Sequence, residues 1–331
     1  MAITLLYGCA QVETTARDIA VARAFFYDAL GAGPIEQELA KQIDSIAPGT
    51  SYRCDHVGLG NAVFQLNQPD PQMVFNGHPS IHQAYLERVG PSVTNLNFFV
   101  DDRAHAKTLL ADLGAPVHLE GPSSAAAALA DYGPGNTRPG ADTRPFLFMG
   151  TRNLIGLDLE IMEPNFLRFA EQSVQYPAFV RPRPQAGDGN LLLERLRIVV
   201  ADLEHTRRNL ARIFTPGCRS KPYAYREGKS GRAFRIGLGG IEIEYCQPSA
   251  SGPLGELLDR YGAGVIAIDF SARDHDAALA RASGSAAVGE EPDWLGIGGK
   301  PDRYQVASRD PIGFDTVLEP RGTGNFCQGD F

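Results

Sequence analysis

The sequence predicts an α+β chain assembled from four β-α-β-β-β modules, and three observations carry that prediction. A unit of alternating strand, Asp and apolar helical stripe is written repeatedly, at residues 9–31, 95–114 and 195–214 and in a more worn form after residue 264. Each copy runs on into strand-like segments that close on a Pro. Pro/Gly-rich connectors near residues 69–91 and 180–190 punctuate the copies.

In the first copy, residues 9–16 alternate, which suits a strand with one face on a core. Asp18 stands where a helix N-cap accepts from backbone N–H groups. Ile19, Ala22, Phe26 and Leu30 recur at helical spacing, and Gly31 is placed to end the helix in a left-handed conformation. SYRCDHVGLG and NAVFQLNQP supply two further strands. The second copy begins near Val93, with Leu96, Phe98 and Val100 on one face and Asn95, Asn97 and Phe99 on the other. Asp102 caps its helix, and Ala106, Leu109, Leu110 and Leu113 form the stripe before Gly114. Its later strands are RPFLFMG and IGLDLEIMEP, with GPGNTRPGADTRP expected as an exposed loop before them. The third copy runs from LLLERLRIVVADLEHTRRNLARIF to RAFRIGLGGIEIEYCQP, and the fourth from GVIAIDFSARDHDAALARA to RYQVASRDPIGFDTVLEP. GLGN and GLGG precede strands rather than helices, so they read as turns and not as phosphate loops.

Composition narrows the function classes. The 331 residues are 43% hydrophobic and 21% charged, with a formal charge of -8, which is globular and offers no basic face to a nucleic-acid backbone. No apolar run approaches the length that spans a bilayer, and MAITLLYGCAQ lacks the basic start and apolar centre of a signal peptide. Five scattered Cys with no CxxC pair predict reduced thiols in a cytoplasm and no zinc-finger spacing.

Four such modules carrying DIAVARAFFYDALG and DPIGFDTVLEP resemble the vicinal oxygen chelate superfamily, which includes glyoxalase I, bleomycin-resistance proteins, methylmalonyl-CoA epimerase and extradiol dioxygenases. The resemblance covers nearly all of residues 5–320. It implies that modules pair into two glyoxalase/dioxygenase-like domains, each with a cup-shaped mixed sheet. These would span 1–165 (modules about 5–70 and 91–164) and 188–331 (modules about 189–248 and 260–320). It further implies metal-ligand places on the first strand of each module, seven residues before the capping Asp, and near the middle of the last strand.

Those places fall on Gln11, Gln65, Asn95 and Glu160 in the first cup. One carboxylate with three amides is a poor nest for zinc or ferrous iron, although a weakly bound divalent ion such as Mg²⁺ could accept oxygens. In the second cup they fall on Arg195, Glu244, Ala267 and Val317, which predicts a metal-free site, since arginine has no acceptor and the apolar pair no ligand atom. The extradiol iron set of two His and a Glu is absent there. Arg195, Arg197, Glu242 and Glu244 are expected to pair across the sheet, the other reading being an anion clamp by the two arginines.

Strand phase gives the first cup a polar wall. Cys9, Gln11, Gln65, Asn67, Asn95, Asn97 and Asp158 are the candidate substrate-binding residues, and Glu160, Glu13 and His56 the candidate acids and bases. A partly buried carboxylate has its pKa raised, which suits proton transfer near neutrality. His78 and His82 stand four apart, the spacing of one helical face, in a connector that could lie over the cup rim. The leading expectation is a glyoxalase-like lyase or isomerase acting on a small oxygenated molecule. The alternatives are a metal-free sequestering protein of resistance type and a dioxygenase relative with lost iron ligands. A small-molecule ligand is expected, with no nucleic acid or membrane partner, in a monomer or homodimer.

Overall fold

The computed structural model describes residues 1–6, 8–9, 11–34, 51–72, 74–75, 78–120, 146–162, 187–249 and 252–322. The expected loop GPGNTRPGADTRP and Cys327 lie outside the described residues. The first half contains β1 (Gln11–Thr15), α1 (Ile19–Asp28), β2 (Gly33–Pro34), β3 (Arg53–Leu59) and β4 (Ala62–Gln68). The connector carries a short hairpin, β5 (Val74–Phe75) with β6 (His78–Pro79), and a helix, α2 (Ile81–Val89). The second module follows as β7 (Ser92–Phe99), α3 (Arg103–Asp112), β8 (Val117–Glu120), β9 (Phe146–Met149), α4 (Arg152–Ile155) and β10 (Asp158–Met162).

The second half repeats the pattern. Its elements are β11 (Leu191–Val199), α5 (Leu203–Ile213), β12 (Tyr223–Glu227), β13 (Gly231–Leu238), β14 (Ile241–Pro248) and α6 (Pro253–Tyr261). Then come β15 (Gly264–Ala272), α7 (His275–Ser283), β16 (Val288–Glu290), β17 (Tyr304–Val306), α8 (Arg309–Ile312) and β18 (Asp315–Pro320). Each half forms one mixed sheet of eight strands, in the orders β2-β3-β4-β1-β7-β10-β9-β8 and β12-β13-β14-β11-β15-β18-β17-β16. The modules join through their first strands: β1 pairs antiparallel with β7, while β4 and β10 lie parallel on either side.

Local chemistry explains where these elements start. Asp18, Asp102, Asp202 and Asp274 all accept from helix N–H groups, as the repeated capping signal predicts. Each such cap is worth roughly 1 kcal/mol against Ala. The period of two then sorts the strands. Val12, Phe64, Leu66, Leu96, Phe98, Leu159 and Ile161 enter the apolar core. Their neighbours Gln11, Glu13, Asn67, Asn95, Asn97 and Glu160 are buried on the other face.

The apolar faces of the two halves meet, and one buried cluster runs through both. Phe64 of β4 stacks on Phe314 at 5.9 Å and approaches Phe270 of β15 at 6.2 Å, while Phe26 of α1 meets Phe314 at 6.4 Å. The backbones also close in: Gly313 has φ +89 and lies so near β7 that a Cβ there would sit 2.5 Å from the Ser92 nitrogen.

Two expectations fail on local grounds. Cys9 is not on the cup wall. The strand begins only at Gln11, so the alternation does not extend back to residue 9, and Cys9 packs in the core with its N–H bonded to the Gly239 carbonyl. His78 and His82 do not share a helix face, because Ser80 caps α2 and leaves His78 in the hairpin strand before it.

Candidate functional site

The first cup is built on the polar face of β3, β4, β1, β7 and β10. Register sets His56, Gln65, Glu13 and Asn95 side by side across four strands. Gln11, Asn97 and Glu160 form the next row across β1, β7 and β10. A bulge between Glu13 and Thr14 leaves Thr94 unpaired in the ladder, and its hydroxyl donates to Asn95 Oδ1 at 2.7 Å. The structure therefore brings Gln11, Glu13, His56, Gln65, Asn67, Asn95, Asn97 and Glu160 to one face. It assigns Asp158 a different job: its carboxylate accepts the Tyr85 hydroxyl and the Arg152 backbone N–H, with His118 Nε2 at 3.7 Å. Both oxygens are taken, so Asp158 fixes the cup wall instead of reaching a ligand.

Helix α2 packs across β1 and β7 and closes the cup from above. Its buried face delivers His82 and Tyr85. His82 Nε2 lies 3.5 Å from Glu13 Oε2, and its Nδ1 lies 3.5 Å from Thr94 Oγ1. Tyr52, just before β3, donates to Asn67 Oδ1 at 2.9 Å. Sequence reasoning did not find Tyr52 or Tyr85, and it found His82 only as half of a ligand pair. The available signal was the i, i+3 spacing of His82 and Tyr85 in IHQAYLERV, one face of a helix.

A chain of hydrogen bonds orients His56. The Thr14 carbonyl can only accept, so Asn67 Nδ2 points to it at 3.4 Å. Asn67 Oδ1 then accepts Gln65 Nε2 at 3.2 Å, which turns Gln65 Oε1 toward His56 Nε2, also at 3.2 Å. An acceptor there puts the imidazole proton on Nε2 and leaves Nδ1 as a bare lone pair. Nδ1 is buried and has no hydrogen-bond partner among the described residues. Burial lowers the His56 pKa to about 4, against the partial compensation of Glu13 and Gln65, so the ring is neutral. Burial lowers His82 as well.

The two acids make the central feature. Burial first, then the charge of Glu13 and a hydrogen bond with it, raise the Glu160 pKa well above the carboxylate range. Two buried carboxyls sharing a site cannot both ionise cheaply, so the pair keeps a proton. Asn97 Nδ2 donates to Glu13 Oε1 at 2.8 Å and to Gln11 Oε1 at 2.6 Å, while Asn95 Nδ2 donates to Asn97 Oδ1 at 2.7 Å.

This donor set does not fit a transition metal. The amide oxygens of Gln11, Gln65 and Asn95 are each engaged by a donor, and Glu160 favours its neutral form. Among the described residues no group of three or more His, Cys, Asp and Glu side chains is arranged as metal ligands. In this cup Gln11 Nε2, Glu13 Oε2, Glu160 Oε2 and His56 Nδ1 are buried without hydrogen-bond partners among the described residues. Such atoms are costly to leave unpaired.

The second cup has the opposite character. Asp269 is fully buried and accepts Arg195 Nη1 at 2.9 Å, Arg197 Nη2 at 2.9 Å and Arg303 Nη2 at 2.8 Å. Arg195 also pairs with Glu242 at 2.6 Å, Arg303 with Glu319 at 2.9 Å, and Arg235 with Glu244 at 3.0 Å. The surrounding arginines hold Asp269 well below the carboxylate range and Glu244 at about 2, against the opposing effect of burial. The space beside Arg197, Glu244 and Trp294 is about 40 Å³, room for a few waters and not an organic molecule. The expected pairing of the arginines with Glu242 and Glu244 is present, but its hub, Asp269, lies two residues beyond the Ala267 place that the resemblance indicated.

The architecture, two glyoxalase/dioxygenase-like domains, is shared with several solved structures. A triple mutant of 4-hydroxymandelate synthase from Streptomyces coelicolor superposes with a TM-score of 0.60 at 15% identity, covering 97% of this chain and 95% of that one. A fusion of a xylose isomerase-like TIM barrel with 4-hydroxyphenylpyruvate dioxygenase gives 0.51 at 14% identity, over 98% of this chain and 51% of the other. The halotolerant catechol dioxygenase BphC gives 0.51 at 11% identity, over 95% and 87%. No protein-family model matches the sequence, and no curated protein matches it. Likeness at these identities concerns architecture; the chemistry has to be argued from the cups themselves.

Proposed function

We propose that the first cup is the active site of a glyoxalase-like enzyme, a lyase or isomerase that moves a proton next to a carbonyl of a small oxygenated molecule. The observation that carries this reading is the buried Glu13–Glu160 pair, one acid held protonated beside the other. Such a pair is a general acid and a general base at once. Glu160 gives its proton to a substrate oxygen, Glu13 accepts the carbon-bound proton, and Gln11 Nε2 orients the oxygen. Asn97 donates to Glu13 Oε1 at 2.8 Å, and the His82 ring lies 3.5 Å from the other carboxyl oxygen. His56, neutral with Nδ1 bare, accepts a hydrogen bond from a hydroxyl of the ligand. No step is routed through a metal, because the donor chemistry of Gln11, Gln65, Asn95 and Glu160 does not suit one.

The dioxygenases and the synthase that share the architecture favour an enzyme over an inert scaffold, without extending their reactions to this chain. The two modules of one chain complete the cup, so a monomer suffices. Among the described residues no helix is long and apolar enough to cross a membrane. Among the described residues Cys9, Cys54, Cys218 and Cys246 are buried and form no disulfide, which supports a cytoplasmic setting. The deciding experiment replaces Glu160 with Gln and screens carbonyl compounds for binding and for C–H exchange in D2O. An enzyme loses exchange by at least about 100-fold and keeps binding. Exchange that survives in E160Q refutes the role of the pair. Binding with no exchange in the parent protein points to the sequestering alternative.

A further inference from the structure

Among the described residues the carboxyls of the first cup, Glu13 and Glu160, are buried on the strands either side of β7, with no Arg or Lys acting on Glu160. Arg88 and Arg152 lie instead against the Tyr85 ring, at 5.2 and 4.5 Å from its centroid. The equivalent strand of the second half carries Arg195 and Arg197, so the fold accepts cations at these positions, and the first cup has Gln11 and Glu13 there.

The unpartnered atoms have a definite pattern of their own. Gln11 Nε2 is a donor, and Glu160, when protonated, is another. Both suit a carbonyl oxygen. His56 Nδ1 is an acceptor, which suits a hydroxyl. Gln11 and Glu160 stand on β1 and β10 with Asn97 of β7 between them. Two strand spacings make that about 10 Å at the backbone, the width of a short carbon chain once the side chains reach inward.

We propose that the first cup selects an uncharged α-hydroxycarbonyl compound, a ketol or hydroxyaldehyde of a few carbons, and rejects carboxylated and phosphorylated analogues. This rests on the active-site reading above and gives it a substrate class. An anionic group about 6 Å from Glu13, at an effective dielectric near 20, is disfavoured by roughly 100-fold, and no cation among the described residues offsets it. The reaction balances without a co-reactant. The C–H bond of the hydroxyl-bearing carbon breaks, its proton goes to Glu13, and its electron pair becomes the new C=C bond. The Glu160 proton goes to the carbonyl oxygen, giving an enediol. Return of a proton to the former carbonyl carbon and of the hydroxyl proton to the pair yields the isomeric carbonyl compound, with no net oxidation.

The test compares calorimetric affinities of dihydroxyacetone and erythrulose with those of dihydroxyacetone phosphate and glycerate, for the parent protein and for E13Q, with C–H exchange in D2O followed separately by NMR. The expected result is neutral ketols bound about 100-fold or more above the anionic probes, with the ratio falling below about 10-fold in E13Q as the repulsive charge is removed. If E13Q does not fold, the ratio for the parent protein decides. Phosphate or carboxylate probes bound as tightly as the ketols, or ketols that do not bind, overturn the proposal. Selective ketol binding without exchange keeps the ligand class and removes the enzyme. Exchange of an anionic probe that vanishes in E160Q keeps the enzyme and removes the class.

Discussion

Replacing Glu160 with Gln should change how stability depends on pH in a way that can be worked out beforehand. Burial and Glu13 raise the Glu160 pKa well above its ordinary 4.5, so the folded protein holds a proton that the unfolded chain releases. Stability from this group is fully present below about pH 4.5 and declines as pH rises toward the folded value, by ~1.4 kcal/mol per pH unit for one proton. His56 and His82 act oppositely. Burial lowers both, His56 to about 4, so between the folded values and 6.5 the unfolded chain binds more protons and stability rises with pH. Above pH 6.5 the histidine contributions are spent and the acid alone remains. The parent protein should therefore lose stability between pH 6.5 and the folded Glu160 value, while E160Q should be flat there as far as these three groups are concerned. Titrations outside the Glu13–Glu160 pair cancel in the difference between the two proteins, which should widen in favour of E160Q by up to ~2.7 kcal/mol from pH 5 to pH 7. Gln keeps a donor for Glu13, so the hydrogen bond survives. Urea denaturation at half-unit pH steps, with equal m-values for the two proteins, measures this directly. A difference constant across that range would mean that Glu160 ionises as freely in the cup as in water, and the acid–base argument would go with it.

Three further outcomes follow from the same geometry. Asp269→Ala leaves Arg195, Arg197 and Arg303 facing one another without their shared carboxylate, and should cost about 3–5 kcal/mol in chemical denaturation; a cost under about 1 kcal/mol would deny the network its hub. NMR of His56 should show Nδ1 unprotonated and no titration between pH 8 and 5.5, and Asn67→Ala, which frees Gln65 to turn, should mix the tautomers. Overnight dialysis against a chelator should leave C–H exchange activity unchanged, and a loss restored by a divalent ion would contradict the donor-set argument at Gln11, Gln65 and Asn95.

Much of the architecture was legible because its signals are local. Asp18, Asp102, Asp202 and Asp274 cap helices in the structure as their positions predict, and outside the bulge at Thr94 alternate residues of β1, β4, β7 and β10 divide between core and cup. What was not legible is tertiary. Cys9 has the right phase, but the strand starts two residues later. His82 and Tyr85 reach the cup only because α2 lies over β1 and β7, which no periodicity in the connector announces. Asp158 shares the strand and face of Glu160 yet is consumed by Tyr85 and Arg152, partners far away in sequence. Asp269 escaped because an apolar neighbourhood in GVIAIDFSA reads as a buried strand, and only the arginines opposite make a carboxylate stable there.

The two cups show how one strand pattern yields two physical outcomes. In each, the first strands of two modules run antiparallel at the centre and present alternate side chains to the concave face. The second cup pairs every central charge with an opposite one, at Asp269, Glu242, Glu244 and Glu319, and leaves about 40 Å³. Its central charges are neutralised by one another, so a ligand would have to displace ion pairs already made. The first cup places two acids together and leaves Gln11 Nε2, His56 Nδ1 and Glu160 Oε2 without hydrogen-bond partners among the described residues. Buried like-charge pairs and unsatisfied atoms lower stability, and a sequence keeps such a site where something outside the chain completes it. The extended apolar core shared by both halves can carry that cost, since its loss is local while Phe64, Phe270 and Phe314 hold the sheets together elsewhere. One sheet is thus laced by internal ion pairs, while the other brings two buried acids together.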